Sequence, residues 1–256
     1  MILDKFSLRG HIGIVTGGGA GLGTAYVQAV AEAGASVMIA DKDIAAGNNT
    51  AERMRSGGFV CDAIETDVTC QNGVIRLVDE TLKKHGQIDF IINNAGAWFQ
   101  GAAIDVTPKS WQSIIDLNLS GVFWCCQAVA KPMLERGRGS IINIASISGQ
   151  LINPPSKTNW LEPSYFAAKA GVIHLTHSLA AQWGPNGIRT NTIAPGYMAK
   201  NGINEQIMKA PWLKSVPLGR PGLPEDLGGA AVFLASDASS YVNGHTLNID
   251  GGCTVW

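Results

Sequence analysis

Residues 12–23 read IGIVTGGGAGLG, an apolar run that ends in a glycine-rich turn and leads into a helical pattern. The glycines Gly17, Gly21 and Gly23 follow the spacing T-G-x-x-x-G-x-G, not the common G-x-G-x-x-G. Glycines in such a turn let backbone N–H groups approach a pyrophosphate at the helix N-terminus, where the helix dipole favours negative charge. A plain strand-to-helix turn is the alternative. The position after the first strand of a strand–helix–strand unit favours dinucleotide binding.

Short β-branched runs alternate with longer helical patterns through the rest of the chain. Strands are predicted at His11–Thr16, Ser36–Asp41, Phe59–Glu65, Ile88–Asn93, Ser140–Ala145, Arg189–Ala194 and Thr246–Ile249. Helices are predicted at Leu22–Ala33, Ile44–Ser56, Gly73–His85, Lys109–Arg136, Ser164–Trp183 and Pro224–Ser236. This alternation predicts an α/β fold of the doubly wound Rossmann type, with a seven-stranded, mainly parallel sheet between two layers of helices.

The composition excludes some classes of protein. Of the 256 residues 46% are hydrophobic, which excludes intrinsic disorder. Nineteen basic and twenty acidic residues give a net charge of −1, so the basic stripe typical of nucleic-acid binding is not expected. Because there is no internal repeat, charge block or low-complexity linker, residues 1–256 are predicted to form one dinucleotide-binding and catalytic domain.

The cysteine pattern and the N-terminal residues indicate the compartment. Five cysteines without a C-x-x-C pair predict neither a disulfide framework nor a zinc ribbon, and favour the reducing cytoplasm. The first ten residues have no apolar core typical of a signal peptide. Polar residues and proline interrupt the uncharged stretch Gly139–Ser156, so no membrane association is expected. No metal site is expected either, because His174 and His177 have no acidic residue or cysteine nearby in sequence.

Asp41 indicates whether the coenzyme is NAD or NADP. It ends the second predicted strand, 24 residues after Gly17. A carboxylate there accepts hydrogen bonds from the adenosine ribose and repels a 2′-phosphate. Alternatively, Asp41 or Asp43 is the N-cap of the next helix. The neighbouring Lys42 can pair with a 2′-phosphate, but the carboxylate favours NAD over NADP.

Two proline-containing stretches, at residues 150–163 and 196–224, interrupt the alternation. Loops of this length in a compact domain are usually functional or mobile. Both follow strand ends, where an open α/β sheet binds its ligand, so both are expected to shape the substrate site. Between them, Tyr165 and Lys169 lie four residues apart and share one helical face. The pair by itself also fits a solvated face.

Taken together, these motifs resemble the short-chain dehydrogenase/reductase family in its form of about 250 residues. The matching pieces occur in the family's order and cover nearly the whole chain: Thr16–Gly23, Asp67-Val68, Asn93–Gly96, Asn118 within residues 117–123, Ser146 within residues 143–149, Tyr165 with Lys169, Pro195-Gly196, and residues 231–252.

The resemblance implies a role for each matching residue. Tyr165 is implied as the acid/base, and Ser146 as the hydrogen-bond partner of the substrate oxygen. Lys169 is implied to hold the nicotinamide ribose, and Asn118 to hold a water of the proton relay. The implied coenzyme contacts are Gly17, Gly21, Leu22, Asp41, Asp67, Val68, Asn94, Ala95, Gly96, Tyr165, Lys169, Pro195, Gly196 and Met198.

The charges near Tyr165 support its implied role. A free phenol titrates near pH ~10, so forming phenolate near neutral pH needs about 3 pKa units, or ~4 kcal/mol. The ammonium of Lys169 and the positive charge of oxidised nicotinamide are the charges that lower the phenol pKa.

Two departures from the family pattern point to the substrate. Lys200 stands where the family usually has a threonine, and 18 residues separate Ser146 from Tyr165, more than is common. Lys157 and Lys200 either face solvent or meet an anionic substrate group. Ser148 is a rival for the role of Ser146. The candidate substrate residues are Trp98, Ser148, Asn153, Lys157, Trp160 and Lys200.

The sequence thus favours an NAD-dependent oxidoreductase that acts on a secondary alcohol of a sugar, polyol or sugar acid. The first alternative is a 3-oxoacyl-thioester reductase or other ketone reductase of the same family. The second is a non-catalytic dinucleotide-binding regulator, which would not need the acid/base residues. The family resemblance implies a homo-oligomer, a tetramer.

Overall fold

The computed structural model describes residues 1–152, 162–199 and 202–255. Within these ranges one parallel sheet has the order β3-β2-β1-β4-β5-β6-β7, which confirms the predicted fold class. The strands are β1 Ile12–Thr16, β2 Ser36–Asp41, β3 Cys61–Glu65, β4 Phe90–Asn93, β5 Gly139–Ile144, β6 Ile188–Pro195 and β7 Thr246–Ile249.

Helices cover both faces of this sheet. They are α1 Leu22–Glu32, α2 Ile44–Ser56, α3 Gln71–His85, α4 Pro108–Ile115, α5 Gly121–Arg136, α6 Pro163–Trp183, α7 Glu205–Met208 and α8 Gly228–Ala235. One apolar cluster joins α1, α2 and α8 to the sheet, and a second joins α3, α5 and α6. Neighbouring residues of β1 point to opposite faces: Val15 belongs to the first cluster and Ile14 to the second. The central strands β1 and β4 are therefore apolar almost throughout, because both of their faces are buried.

The strand order reverses between β1 and β4. From β1 the chain continues to β2 and β3 on one side, whereas β4 begins the series on the other side. The connections that leave β1 and β4 therefore diverge and open a crevice at their carboxyl ends. Such a switch point is where doubly wound α/β proteins bind ligands.

Most predicted elements agree with the structure to within two residues at each end, and three differences are instructive. The helix predicted at Lys109–Arg136 is α4, a π-helical turn at Asp116–Ser120, and α5. The helix predicted at Pro224–Ser236 begins with a 3₁₀ turn at Pro224–Leu227 before α8. The strand predicted from Phe59 begins at Cys61, because the N–H of Phe59 donates to Met54 at the end of α2 instead.

The helical run Pro108–Arg136 is long and apolar enough to cross a membrane by length and composition alone. Its buried residues include Val122, Cys125 and Val129, which pack against the sheet and against α3 and α6 in the second apolar cluster. This helix therefore fits a core layer of the α/β fold.

Candidate active site

A cavity of about 1070 Å³ lies at the carboxyl ends of the strands. Every candidate residue in the described part of the chain lines it: Gly17, Gly21, Leu22, Asp41, Asp67, Val68, Asn94, Ala95, Gly96, Trp98, Asn118, Ser146, Ser148, Tyr165, Lys169, Pro195, Gly196 and Met198. Four candidates lie outside the described residues: Asn153, Lys157, Trp160 and Lys200. The cavity thus joins the glycine-rich turn of β1 to the tyrosine and lysine of α6.

The turn after β1 requires its glycines. Gly17 and Gly21 have φ values of 62° and 58°, in the left-handed region that favours glycine. A Cβ on Gly23 would lie 1.9 Å from the carbonyl oxygen of Gly17, so no side chain fits there. Gly21 offers no side chain to cap α1. The first N–H groups of this helix remain available to an anion, as the pyrophosphate of a dinucleotide requires.

Thr16 and Asn94 tie the turns after β1 and β4 together. The Asn94 side-chain amide donates to the carbonyl oxygens of Thr16 and Gly17, each at 3.0 Å. In return, the Thr16 hydroxyl accepts from the backbone N–H groups of Asn94 and Ala95, each at 3.0 Å. These four hydrogen bonds fix the floor of the crevice before any ligand binds.

Asp41 and Asp43 have different structural roles. The Asp43 carboxylate accepts from the N–H of Ala46 at 3.1 Å and is the N-cap of α2. The Asp41 carboxylate instead accepts from the N–H of Gly19 at 2.9 Å and from the N–H of Asp43 at 3.0 Å. It is thereby held at the cavity edge beside the glycine turn, and Lys42 lines the cavity next to it.

The turn after β3 is ordered by its own side chains. The Asp67 carboxylate accepts from the N–H of Thr69 at 2.9 Å and from its hydroxyl at 2.7 Å. Val68, the next residue, is 5% exposed and lines the cavity. An apolar side chain beside a fixed carboxylate suits an adenine ring, which needs both stacking and a polar edge.

Tyr165, Ser146 and Lys169 form a group in the cavity. Burial raises the pKa of the Tyr165 phenol, and a hydrogen bond with Ser146 opposes that rise. The Lys169 ammonium donates to the carbonyl of Ile144 at 2.8 Å and lies 5.7 Å from the centre of the Tyr165 ring. Burial lowers the pKa of Lys169 from 10.5 to about 8. The lysine still carries its charge at neutral pH, beside the phenol that has to ionise.

Asn118 faces this group from the π-helical turn. Its side-chain N–H donates to the carbonyls of Ala97 at 2.8 Å and Ile114 at 3.1 Å. Its buried Oδ1 has no hydrogen-bond partner among the described residues. A Cβ on Gly96 would lie 2.8 Å from this oxygen and 3.6 Å from the Lys169 nitrogen. The glycine thus keeps a space open between an unpaired acceptor and a cation, and such a space suits a water molecule.

Besides Tyr165 and Phe166, three aromatic residues line the same cavity, Trp98, Tyr197 and Trp212. Trp98 follows β4 and is 48% exposed. Tyr197 and Trp212 stack with ring centroids 4.5 Å apart and planes 18° from parallel. Sequence reasoning included Trp98 but missed the other two, because no spacing pattern relates positions 197 and 212. A short parallel bridge between Met198 and Gly222 holds this region together.

The described residues contain no group of three or more His, Cys, Asp or Glu placed to hold a metal ion. His174 and His177, considered above, are exposed and contact each other edge to face. The glycine turn, the open N-terminus of α1 and the unpaired Asn118 oxygen fit a nicotinamide dinucleotide instead. Fold and site together define a dinucleotide-dependent oxidoreductase.

Residues 17–254 match the family model described as enoyl-(acyl carrier protein) reductase. The chain belongs to the short-chain dehydrogenase/reductase family and is an oxidoreductase that acts on CH–OH groups. Members of this family bind a nicotinamide dinucleotide. The resemblance that the motifs indicated is therefore confirmed.

Individual relatives are similar along their full length. The chain is 38% identical to a sorbose reductase of Candida albicans, over 99% of this chain and 90% of the relative. It is 37% identical to a 3-oxoacyl-[acyl-carrier-protein] reductase of Synechocystis sp., over 98% of this chain and 99% of the relative. A gluconate 5-dehydrogenase from Burkholderia cenocepacia, solved with NADP and tartrate, has a TM-score of 0.90 and 38% identity over 100% of both chains.

Proposed function

We propose that this protein oxidises a secondary alcohol of a sugar, polyol or sugar acid to the carbonyl, with NAD as the hydride acceptor. The observation that carries the proposal is the group in the cavity: a tyrosine hydrogen-bonded to Ser146, with the Lys169 cation beside its ring. That arrangement supplies an ionisable hydroxyl, a donor for the substrate oxygen, and a charge that stabilises phenolate.

Each catalytic side chain has one task in the proposed reaction. Ser146 donates a hydrogen bond to the substrate oxygen, and Tyr165 takes the hydroxyl proton as phenolate. When bound, nicotinamide accepts the hydride at its C4 carbon. Lys169 binds the nicotinamide ribose and lowers the phenol pKa through its charge. The Asn118 oxygen holds the water through which the proton leaves the site.

NAD is the proposed coenzyme because of Asp41. Its carboxylate is fixed by the N–H groups of Gly19 and Asp43 and does not cap α2. A fixed negative charge beside the glycine turn accepts from ribose hydroxyls and repels a 2′-phosphate. Lys42 favours NADP by the same reasoning, and the Burkholderia relative was solved with NADP. The carboxylate is the better-held group, so NAD stays the proposal and NADP the alternative.

Polyhydroxylated molecules are the proposed substrates. Two of the three relatives described above are named for such molecules, sorbose and gluconate. The predicted loop 150–163 is rich in residues that hydrogen-bond, which suits many hydroxyl groups better than an acyl chain. A carboxylate on the substrate would meet Lys157 or Lys200. The 3-oxoacyl-thioester reductase is the alternative, because the Synechocystis relative of that name is as similar.

A single domain, a homotetramer and a cytoplasmic location complete the proposal. The tetramer rests on the family resemblance. The reducing location agrees with five free cysteines, of which Cys61, Cys125, Cys126 and Cys253 are buried. Light scattering on a size-exclusion column tests the assembly, and a mass of one or two chains would contradict a tetramer.

The test of function is a screen of coenzyme reduction. Purified protein is offered NAD⁺ and NADP⁺ with polyols, sugars, aldonates, hydroxyacyl esters and steroids. The proposal expects turnover with a polyol, sugar or aldonate and a preference for NAD⁺. Turnover confined to hydroxyacyl esters supports the thioester reductase. Coenzyme binding without turnover of any substrate supports the non-catalytic regulator.

A further inference from the structure

Glu162 is a buried carboxylate that the proposed chemistry does not use. It directly precedes Pro163, the first residue of α6, and is 7% exposed. Its carbonyl accepts from the N–H of Tyr165 at 3.0 Å, within the first turn that bears the acid/base residue. If the backbone of Glu162 moves, the turn that carries Tyr165 therefore moves with it.

The side chain of Glu162 is held by hydroxyl groups. The Ser110 hydroxyl, on α4, lies 2.9 Å from one carboxylate oxygen and 2.7 Å from the other. The Ser164 hydroxyl lies 3.4 Å from the second oxygen. No Lys, Arg or His among the described residues lies within ion-pair distance of this carboxylate. The hydrogen bonds from Ser110 are therefore the main polar contacts that hold this buried side chain in place.

Glu162 also contacts residues 97–101, the substrate wall, which follows β4. The N–H of Glu162 donates to the carbonyl of Phe99 at 3.1 Å. A Cβ on Gly101 would lie 3.3 Å from both the Cγ and one carboxylate oxygen of Glu162, so the side chain packs directly on this glycine. Within the wall, Trp98 and Gln100 line the cavity.

The other end of the substrate wall is tied to the catalytic group. The Asn118 amide donates to the carbonyl of Ala97 at 2.8 Å. The wall is thus pinned at Ala97 by the π-helical turn and at Phe99 and Gly101 by Glu162. Both anchors belong to elements that carry proposed catalytic residues, so the distance from Trp98 to Tyr165 depends on them.

We propose that Glu162, held by Ser110, is a positioning residue that fixes the substrate wall against the turn bearing Tyr165. This inference rests on the proposed function, because it concerns how that site binds its substrate. Glu162 does not line the cavity, and it acts through Trp98 and Gln100. The coenzyme contacts at Gly17, Asp41 and Asn94 involve other elements and stay intact without it.

The test compares Glu162→Ala, Glu162→Gln and Ser110→Ala with a control variant, Ser113→Ala. Ser113 lies one turn away on α4, is exposed, and donates to the carbonyl of Ser110 and not to Glu162. Initial rates are measured with the best substrate of the wild-type screen, and NADH affinity by fluorescence titration. Thermal unfolding of each variant confirms that it is folded.

The proposal expects KM for the substrate to change and kcat to stay nearly the same. Glu162→Ala raises KM for the substrate about tenfold, with kcat within about threefold and unchanged NADH affinity, because uniform binding is lost. Ser110→Ala raises KM in the same direction. Glu162→Gln keeps the volume and an oxygen acceptor for Ser110, and restores most of the affinity. Ser113→Ala behaves as wild type.

Two outcomes overturn the inference. Unchanged KM in folded Glu162→Ala and Ser110→Ala shows that the wall does not depend on this contact. A parallel loss of kcat, substrate affinity and NADH affinity shows a general structural role. If Glu162→Ala does not fold, Ser110→Ala and Glu162→Gln decide between these results. A wild-type protein inactive on every substrate contradicts the proposed function instead, and is recognised before any variant is made.

Discussion

The cavity has two halves that are built differently: one is proposed to bind the coenzyme (the coenzyme half) and the other the substrate (the substrate half). The coenzyme half consists of backbone and small residues, locked by hydrogen bonds such as those between Asn94 and the turn at Thr16-Gly17. The substrate half consists of large aromatic side chains, Trp98, Tyr197 and Trp212, carried on connecting segments. In this proposal the coenzyme is recognised mainly by the backbone conformation of the turns, whereas the substrate is recognised by side chains. Substitutions in one half should therefore change the affinity for the coenzyme, and substitutions in the other half the KM for the substrate.

The largest effect is expected where the halves meet, at Tyr165. Tyr165→Phe removes the hydroxyl that transfers the proton and should lower kcat at least about 10²-fold, while NADH affinity changes little. Tyr26→Phe is the matched control, because Tyr26 is fully buried in the core and its hydroxyl has no partner among the described residues. Steady-state rates and fluorescence titration measure both quantities. Turnover within tenfold of wild type in Tyr165→Phe contradicts the mechanism.

A smaller effect is expected from Lys157 and Lys200, two lysines outside the described residues that are proposed to bind an anionic substrate. If the substrate carries a carboxylate, Lys157→Met or Lys200→Met should lower kcat/KM for a sugar acid by about tenfold or more, because a partly desolvated, charged hydrogen bond is lost. Activity on the matching neutral polyol should stay level. Lys214→Met, at an exposed position, serves as the control. An equal response of both substrates, or none, shows that neither lysine recognises an anion.

In the coenzyme half, Asp41→Ala should shift the ratio of kcat/KM for NADP to that for NAD upward by about tenfold. The change removes a ribose acceptor and a repulsive charge, which together are worth about 1.4 kcal/mol. Asp43→Ala is the control: it removes the observed N-cap of α2, which lowers stability by about 1 kcal/mol without changing the coenzyme ratio. A ratio that Asp41→Ala leaves unchanged would refute coenzyme selection by Asp41.

The smallest effect is expected from the stacked aromatic pair. Trp212→Leu keeps an apolar side chain but loses the stacking on Tyr197, which is worth about 1 kcal/mol. Because this pair orders the cavity lining, its loss weakens substrate binding by up to roughly fivefold. We expect KM for the substrate to rise by about that factor, with NADH affinity unchanged. Trp111→Leu, an exposed position outside the cavity lining, should alter neither value. A loss of NADH affinity in Trp212→Leu would show that the two halves are not independent.

The same contrast explains how much the sequence predicted. The coenzyme half was predictable, because close backbone packing restricts which residue type can occupy a position. Position 23, for example, has room only for glycine. The alternation of elements likewise predicted the sheet, since central strands such as β1 and β4 are buried on both faces. The π-helical turn at Asn118 was not predicted, because the sequence pattern of residues 109–136 is that of one continuous helix.

The substrate half was harder to predict, because its contacts join distant positions. Tyr197 and Trp212 stack within a segment whose two ends, Met198 and Gly222, pair with each other through a parallel bridge. Glu162 and Ser110 meet across 52 residues. No local periodicity encodes such pairs, so their positions follow from the tertiary fold alone.

The central claim is hydride transfer between a substrate carbinol carbon and nicotinamide, with Tyr165 moving the proton. Reduced coenzyme carrying deuterium at both C4 positions tests it directly, in the reducing direction, on a ketose or oxo acid that corresponds to the best alcohol of the screen. The account predicts one deuterium on the new carbinol carbon per coenzyme consumed, and none detectable with Tyr165→Phe in the same time. Product without deuterium at that carbon, or equal labelling by Tyr165→Phe, would contradict it.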